Sequence, residues 1–170
     1  MTPVEGDGVF DDLLAANRRY QEAFPFADVP AGAARGLAVL TCIDSRIEPL
    51  QMLGLEPGDA KIVRNAGARV TDDVLRSLAL AVHLLAVERI CVVQHTGCAV
   101  AGRSEEELRG RVADASGLPI DGWDFLAIED QRTVLVEDVA RLRTCDLLPP
   151  SLVVGGFIYD VATGGLDAVC

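Results

Sequence analysis

Two stretches of this sequence, Leu37-Ala-Val-Leu40 and Ile90-Cys-Val-Val93, are apolar at every position. A strand with one face in water alternates apolar and polar residues, so continuous runs of this length bury both faces. Set among helical patterns, they call for a parallel sheet covered on both sides. Such sheets collect ligands at the carboxyl ends of their strands, near a switch in strand order. Here both runs stop at reactive side chains. The first runs out into Cys42-Ile-Asp-Ser-Arg46, the second into His95-Thr-Gly-Cys98.

The fold class that follows is α/β: a mostly parallel central sheet, about four parallel strands plus one antiparallel edge strand, flanked by helices. Strands are expected at 37–41, 61–64, 90–95, 152–161 and 166–169. Residues 7–24 read as a helix with Val9, Leu13, Leu14 and Tyr20 near one face, and 25–36 as an extended arm rich in Ala, Gly and Pro. Thr71 is placed to cap a helix running to residue 87. That helix is apolar nearly all round. Leu75, Leu78, Ala79, Val82 and Leu85 form one face, and Val74, Leu80, Ala81 and Leu84 a second. A second buried face in so small a chain points to another subunit. Residues 102–117 suggest a polar helix and 128–145 an amphipathic one, while Trp123 and Tyr159 read as packing residues. At 170 residues the whole is expected to be one domain, with an N-terminal helix and arm at 1–36 and an α/β core at 37–170.

Charge narrows the partners. A net charge of -11 offers no basic patch to nucleic acid or to an anionic membrane surface. The longest apolar segment, 78–87, is interrupted by His83 and too short to span a bilayer. No basic start or apolar core of a secretion signal opens the chain, and five cysteines are an odd number. Reduced thiols in a cytoplasm are the expectation.

Cys42, His95 and Cys98 form a three-ligand set suited to zinc. Thiolate and imidazole are its preferred donors, and a catalytic site uses three protein ligands and leaves one position open. A structural site would want a fourth Cys or His; Cys91 lies deeper along the strand, and Cys145 and Cys170 read as free thiols. Asp44 and Arg46 follow one step past the first ligand. They read either as a surface ion pair or helix cap, or as a dyad in which Arg46 holds a carboxylate that orients the attacking hydroxide. Asp44 could also take the fourth metal position and close the site. Gly67, in the loop Asn65-Ala-Gly67, would let backbone amides approach a ligand, so Ala66 and Gly67 are candidate substrate contacts. Other chemistries fit less well. A phosphatase loop needs arginine where Glu48 stands, no glycine-rich dinucleotide turn follows the first strand, and no C-x-x-C is present.

With these residues in place, the chain resembles the β-class carbonic anhydrases. The motifs are Cys42-Ile-Asp-Ser-Arg46, Glu56-Pro-Gly-Asp59, Arg64-Asn-Ala-Gly67 and His95-Thr-Gly-Cys98, with Gly156-Phe-Ile-Tyr-Asp-Val-Ala-Thr-Gly164 similar to the family's C-terminal strand. The resemblance implies Zn2+ on Cys42, His95 and Cys98, the Asp44–Arg46 dyad, and reversible hydration of carbon dioxide to bicarbonate by zinc-bound hydroxide. It also implies a dimer as minimal unit, alone or paired into a homotetramer, with the site near the subunit interface. Two thiolates on the metal would make its water less acidic, so activity is expected to rise toward alkaline pH. Residues 99–151 match only loosely.

The departures carry information. Ala33 and its neighbours lack the substrate-contacting glutamine of plant-type members, and Val39 stands where bicarbonate-regulated members carry tryptophan. With His95 a ligand, only His83 remains as an imidazole, so proton removal is expected to rely on buffer. Carbonyl sulfide and carbon disulfide hydrolases share the zinc motif and form the main alternative. A non-catalytic zinc-binding regulatory domain would have no need of the Asp44–Arg46 pair.

Overall fold

The computed structural model describes residues 8–170. Its elements run α1 (Asp11–Glu22), β1 (Leu37–Cys42), α2 (Pro49–Met52), β2 (Ala60–Asn65), a 3-10 turn (Ala66–Ala68), α3 (Asp72–Leu84), β3 (Arg89–His95), α4 (Glu105–Ser116), α5 (Gln131–Arg143), β4 (Val153–Tyr159) and β5 (Leu166–Ala168). The five strands form one sheet in the order β2-β1-β3-β4-β5. β2, β1, β3 and β4 are parallel, and β5 returns antiparallel along the edge of β4. The expected sheet is therefore present, with the order reversing direction between β1 and β3.

β1 is buried at all six positions, as its unbroken apolar pattern requires. On one face Ala38, Leu40, Ile90 and Val92 pack beneath Leu78 of α3 and Leu135, Val139 and Leu142 of α5. The opposite face is thinner: Leu37, Val39 and Val93 meet Leu55 and the short α2 segment, Leu50 to Leu53. Close packing of α5 on β4 depends on Gly156, where an added Cβ would fall 2.8 Å from Cys170 Sγ and 3.0 Å from Val139 Cγ2.

Helix ends follow their caps. The Thr71 hydroxyl accepts from the Val74 amide at 3.3 Å, opening α3, and Asp130 does the same for Thr133 at 2.7 Å, opening α5. Ser104 and Glu107 make a reciprocal capping box on α4, and Gly117 closes that helix in the left-handed region.

On the second apolar face of α3, Val74 and Ala81 are buried while Leu80 and Leu84 are 47% and 73% exposed. Two expectations need correction. Trp123 is not a packing residue; it lies exposed in the loop after α4. Helix α1 is shorter than the pattern suggested and buries no residue, leaving Val9, Phe10, Leu13, Leu14 and Tyr20 in solvent. The proposed start of that helix at Asp7 lies outside the described residues. The arm after α1 is tethered at its end, where the Ala33 amide donates to Leu85 O and Lys61 Nζ to Ala31 O. Among the described residues, no helix is long and apolar enough to cross a membrane.

Candidate metal centre

β1 and β3 are adjacent and parallel, so their carboxyl ends bring Cys42 and His95 side by side although 52 residues lie between them. The chain turns at Gly97, with φ at 65°, and returns Cys98 to the same point. The donor atoms of Cys42, His95 and Cys98 all lie within 4.8 Å of one another, and all three residues are buried. The two sulfurs are 3.9 Å apart. Two thiolates on a tetrahedral ion at about 2.3 Å would sit about 3.8 Å apart, so the spacing suits zinc.

The histidine supplies a sharper test of fit. His95 Nδ1 lies 3.0 Å from Thr96 O, a bond that places the ring proton on Nδ1 and leaves the Nε2 lone pair free. Nε2 is buried and finds no hydrogen-bond partner among the described residues. A buried nitrogen lone pair within 4.8 Å of two sulfurs is an unmet acceptor, and a cation is what this donor set accommodates.

Electrostatics agree with that reading. The Cys42 thiol is drawn down to about 3, first by its hydrogen bond with Cys98, with burial opposing and with help from His95 and the Gly67 amide. Cys98 is pushed up by the same pairing and by burial, as the partner that keeps the proton. His95 is lowered by burial, but the neighbouring Cys42 sulfur outweighs this and raises it overall. Metal binding by such a donor set would displace the thiol protons.

Asp44 is turned toward Arg46. Arg46 Nε donates to Oδ1 at 2.9 Å and its terminal nitrogen to Oδ2 at 2.6 Å, while the Arg46 backbone amide adds a third bond to Oδ1 at 2.9 Å. These bonds hold the carboxyl well below the usual carboxylate range. Arg46 is itself anchored, donating to Gly97 O at 3.1 Å. Asp44 Oδ2 stays 3.8 Å from His95 Nε2, at the edge of the three-ligand set and not within it. The helix-cap reading of Asp44 and Ser45 does not hold, since α2 begins at Pro49 with no side-chain cap.

The remaining candidates fall as follows. Gly67 is buried, and its amide lies 3.4 Å from Cys42 Sγ; Ala66 is exposed beside it. His83 is exposed on α3, its Nε2 2.8 Å from Leu147 O. Cys91 packs on the thin face of the sheet. Several supporting residues went unread in the sequence. Arg64 donates to the Cys42 and Asp44 carbonyls at 2.9 and 2.7 Å, Gln131 of α5 donates to His95 O at 2.9 Å, and the buried Gln94 amide has no partner among the described residues. Of these only Arg64 carried a signal, its place in the Arg64-Asn-Ala-Gly67 motif.

Comparison with known proteins bears directly on this geometry. A carbonic anhydrase family model matches residues 37–116, the segment that contains Cys42, Asp44, Arg46, His95 and Cys98. Beta-carbonic anhydrase 1 of Mycobacterium tuberculosis is 32% identical over 161 residues, covering 95% of this chain and 98% of that protein. The chain belongs to the β-carbonic anhydrase family. A carbonic anhydrase crystal structure from Streptococcus mutans aligns over all of both chains with a TM-score of 0.88 and 35% identity. The family also has relatives of another name: a carbon disulfide hydrolase of an Acidianus strain is 30% identical and covers 76% of this chain and 74% of its own. Within this β-carbonic anhydrase, the Cys42, His95 and Cys98 cluster is a site that could hold a metal ion.

Proposed function

We propose that this chain is a zinc-dependent carbonic anhydrase that interconverts carbon dioxide and bicarbonate, with Cys42, His95 and Cys98 as the metal ligands and Asp44 and Arg46 as the catalytic dyad. The observation that carries the reading is the pairing of an unmet His95 Nε2 with an Asp44 carboxylate that Arg46 holds beside the ligand set and out of it. That arrangement leaves a fourth metal position for a reacting molecule. A zinc ion held there would supply Lewis acidity, making water acidic enough to furnish hydroxide near neutral pH.

The chain's own residues do the rest. Asp44 Oδ2 has acceptor capacity beyond its bond from Arg46, and it orients the attacking hydroxide by accepting its hydrogen. Arg46, anchored on Gly97 O, keeps that carboxylate from entering the metal position. The Nδ1 bond to Thr96 O fixes the His95 tautomer, and the Gly67 amide offsets charge on the Cys42 sulfur. Carbon dioxide gains the hydroxide at carbon, one C–O bond forming as one C=O electron pair moves to oxygen. The released proton passes to buffer.

We further propose that the working unit is a homodimer, or a homotetramer built from it. Helix α1 buries nothing in its own chain, and Leu80 and Leu84 of α3 line an open groove of about 700 Å3 with Leu75 and Leu147. Both are apolar surfaces that a second copy would cover. A cytoplasmic location fits five free thiols.

The test assays purified protein for zinc per chain, for carbon dioxide hydration, and for release of sulfide from carbonyl sulfide and carbon disulfide. One zinc per chain with fast hydration is expected. Fast sulfide release with slow hydration would instead assign the chain to its carbon disulfide hydrolase relatives, and zinc with neither activity would make it a binding module.

A further inference from the structure

The turn that delivers the Gly67 amide to Cys42 is held in an unfavourable shape. Gly67 has φ of 75° and the next residue, Ala68, has φ of 55°. The left-handed region is costly for a residue with a Cβ, so Ala68 does not hold itself there unaided, whereas Gly67 carries no such cost. No larger residue fits at Gly67, because a Cβ on it would lie 2.8 Å from Val100 Cγ2 and 3.0 Å from Ile128 Cδ1.

Something outside the turn keeps it closed. Asn65 bridges it, with its Nδ2 donating to Arg69 O at 2.7 Å and its Oδ1 accepting from the Arg69 amide at 2.8 Å. Arg69 then reaches away from the turn to the opposite wall. Its Nε donates to Asp138 Oδ2 at 2.8 Å and its Nη1 to Leu126 O at 2.8 Å. Asp138 is 4% exposed, an acidic side chain on the inner face of α5 between Leu135 and Leu142. A buried ion pair is seldom a net source of stability, since desolvation cancels most of the attraction. Its presence in an otherwise apolar helix face asks for another role.

We propose that Arg69 and Asp138 are positioning residues for the metal centre: their buried ion pair clamps the Asn65–Arg69 turn to α5 and so presses the Gly67 amide onto the Cys42 sulfur. The inference rests on Cys42 being a metal ligand. An N–H bond to a ligating sulfur lowers its electron donation, and loss of an outer partner of this kind typically costs about 10–100-fold in metal affinity. The clamp therefore acts on the site through one amide, from a residue that sequence alone places on a distant helix.

The experiment loads full-length protein with cobalt in place of zinc and reads the thiolate-to-cobalt absorption band, the cobalt dissociation constant against a chelator, and the melting temperature. Asp138→Asn should move the band to longer wavelength and weaken cobalt binding about 10-fold. Arg69→Met with Asp138→Leu should regain stability, since no charge is left buried alone, yet keep the shifted band and the weaker binding. If Asp138→Asn does not fold, the double variant carries the test. Leu78→Val, a core change that removes no atom of the clamp, should lower the melting temperature and leave the band where it was. A wild-type band in the Asp138→Asn or the double variant, or the same shift in Leu78→Val, overturns the proposal. Absence of cobalt binding by the unaltered protein would instead refute the ligand assignment on which it rests.

Discussion

On the proposed function, the Asp44–Arg46 pair is the residue-scale device on which activity would turn. With Arg46 replaced by alanine, the carboxylate loses two of its three bonds and is free to reach the neighbouring ligand set. The expected result is zinc content near wild type with kcat/KM lower by about 100-fold, a loss of oriented catalysis without loss of metal. Cys42→Ser should act differently, removing zinc and activity together, as metal analysis of the purified variant would show. Gly67→Ala forces a Cβ into Val100 and Ile128 at a positive φ. It should cost about 1–3 kcal/mol in denaturant unfolding, a typical figure for overpacking. At this scale the sequence was most legible where chemistry is local: Cys42, Asp44 and Arg46 sit within five positions and declare themselves by type. Asp138 did not, because an acidic residue in a helix with charged neighbours reads as solvated until α5 is docked and it is found beside Arg69.

Elements were legible to the extent that their own residues decide them. Thr71 announced a helix start by capping chemistry, whereas the Asp130 cap went unread and the expected start at residue 128 fell short of the observed Gln131. Helix ends at Leu84 and Arg143 came earlier than apolar periodicity implied. The exposed face of α3 shows why: Leu80 and Leu84 continue the pattern on a surface left exposed by the described residues. The cap of α5 gives a pH test. The Asp130 carboxyl is held below its ordinary value by its bonds to Thr133. A lowered carboxyl stabilises the folded state above its unfolded pKa, about 3.9, and loses that contribution as pH falls through the lower folded value. Asp130→Ala should therefore melt below wild type at neutral pH, with a smaller gap near pH 2, as the carboxyl begins to take up its proton. Circular dichroism melts at the two pH values would read the difference, and an equal gap at both would show that the cap works without its charge.

At the scale of the whole molecule, what the chain leaves uncovered matters as much as what it buries. The apolar residues of α1 share one face, but among the described residues none of the helix is buried. Period and composition do not say whose core a helix joins. Light scattering should give a mass of at least twice 18.1 kDa, and Leu13→Glu with Leu14→Glu should shift the population toward monomer. A wild-type monomer at micromolar concentration would set the dimer aside. Chelation is the other global test. Removing the metal should lower the melting temperature, and added zinc should restore it in proportion to its excess over the dissociation constant.

The crossover between β1 and β3 has a consequence for how the protein is made. Cys42 and Cys98 are 56 positions apart, and α2, β2 and α3 must all be passed before the second sulfur arrives. Parallel neighbours cannot pair until that long connection has closed, which is a slow step for any chain. No fragment emerging from a ribosome before residue 98 holds more than two of the three donors. On the proposed ligand set, the third donor joins only once this crossover has closed, so a metal would be captured late, and metal uptake during refolding should follow the last structural phase and not precede it.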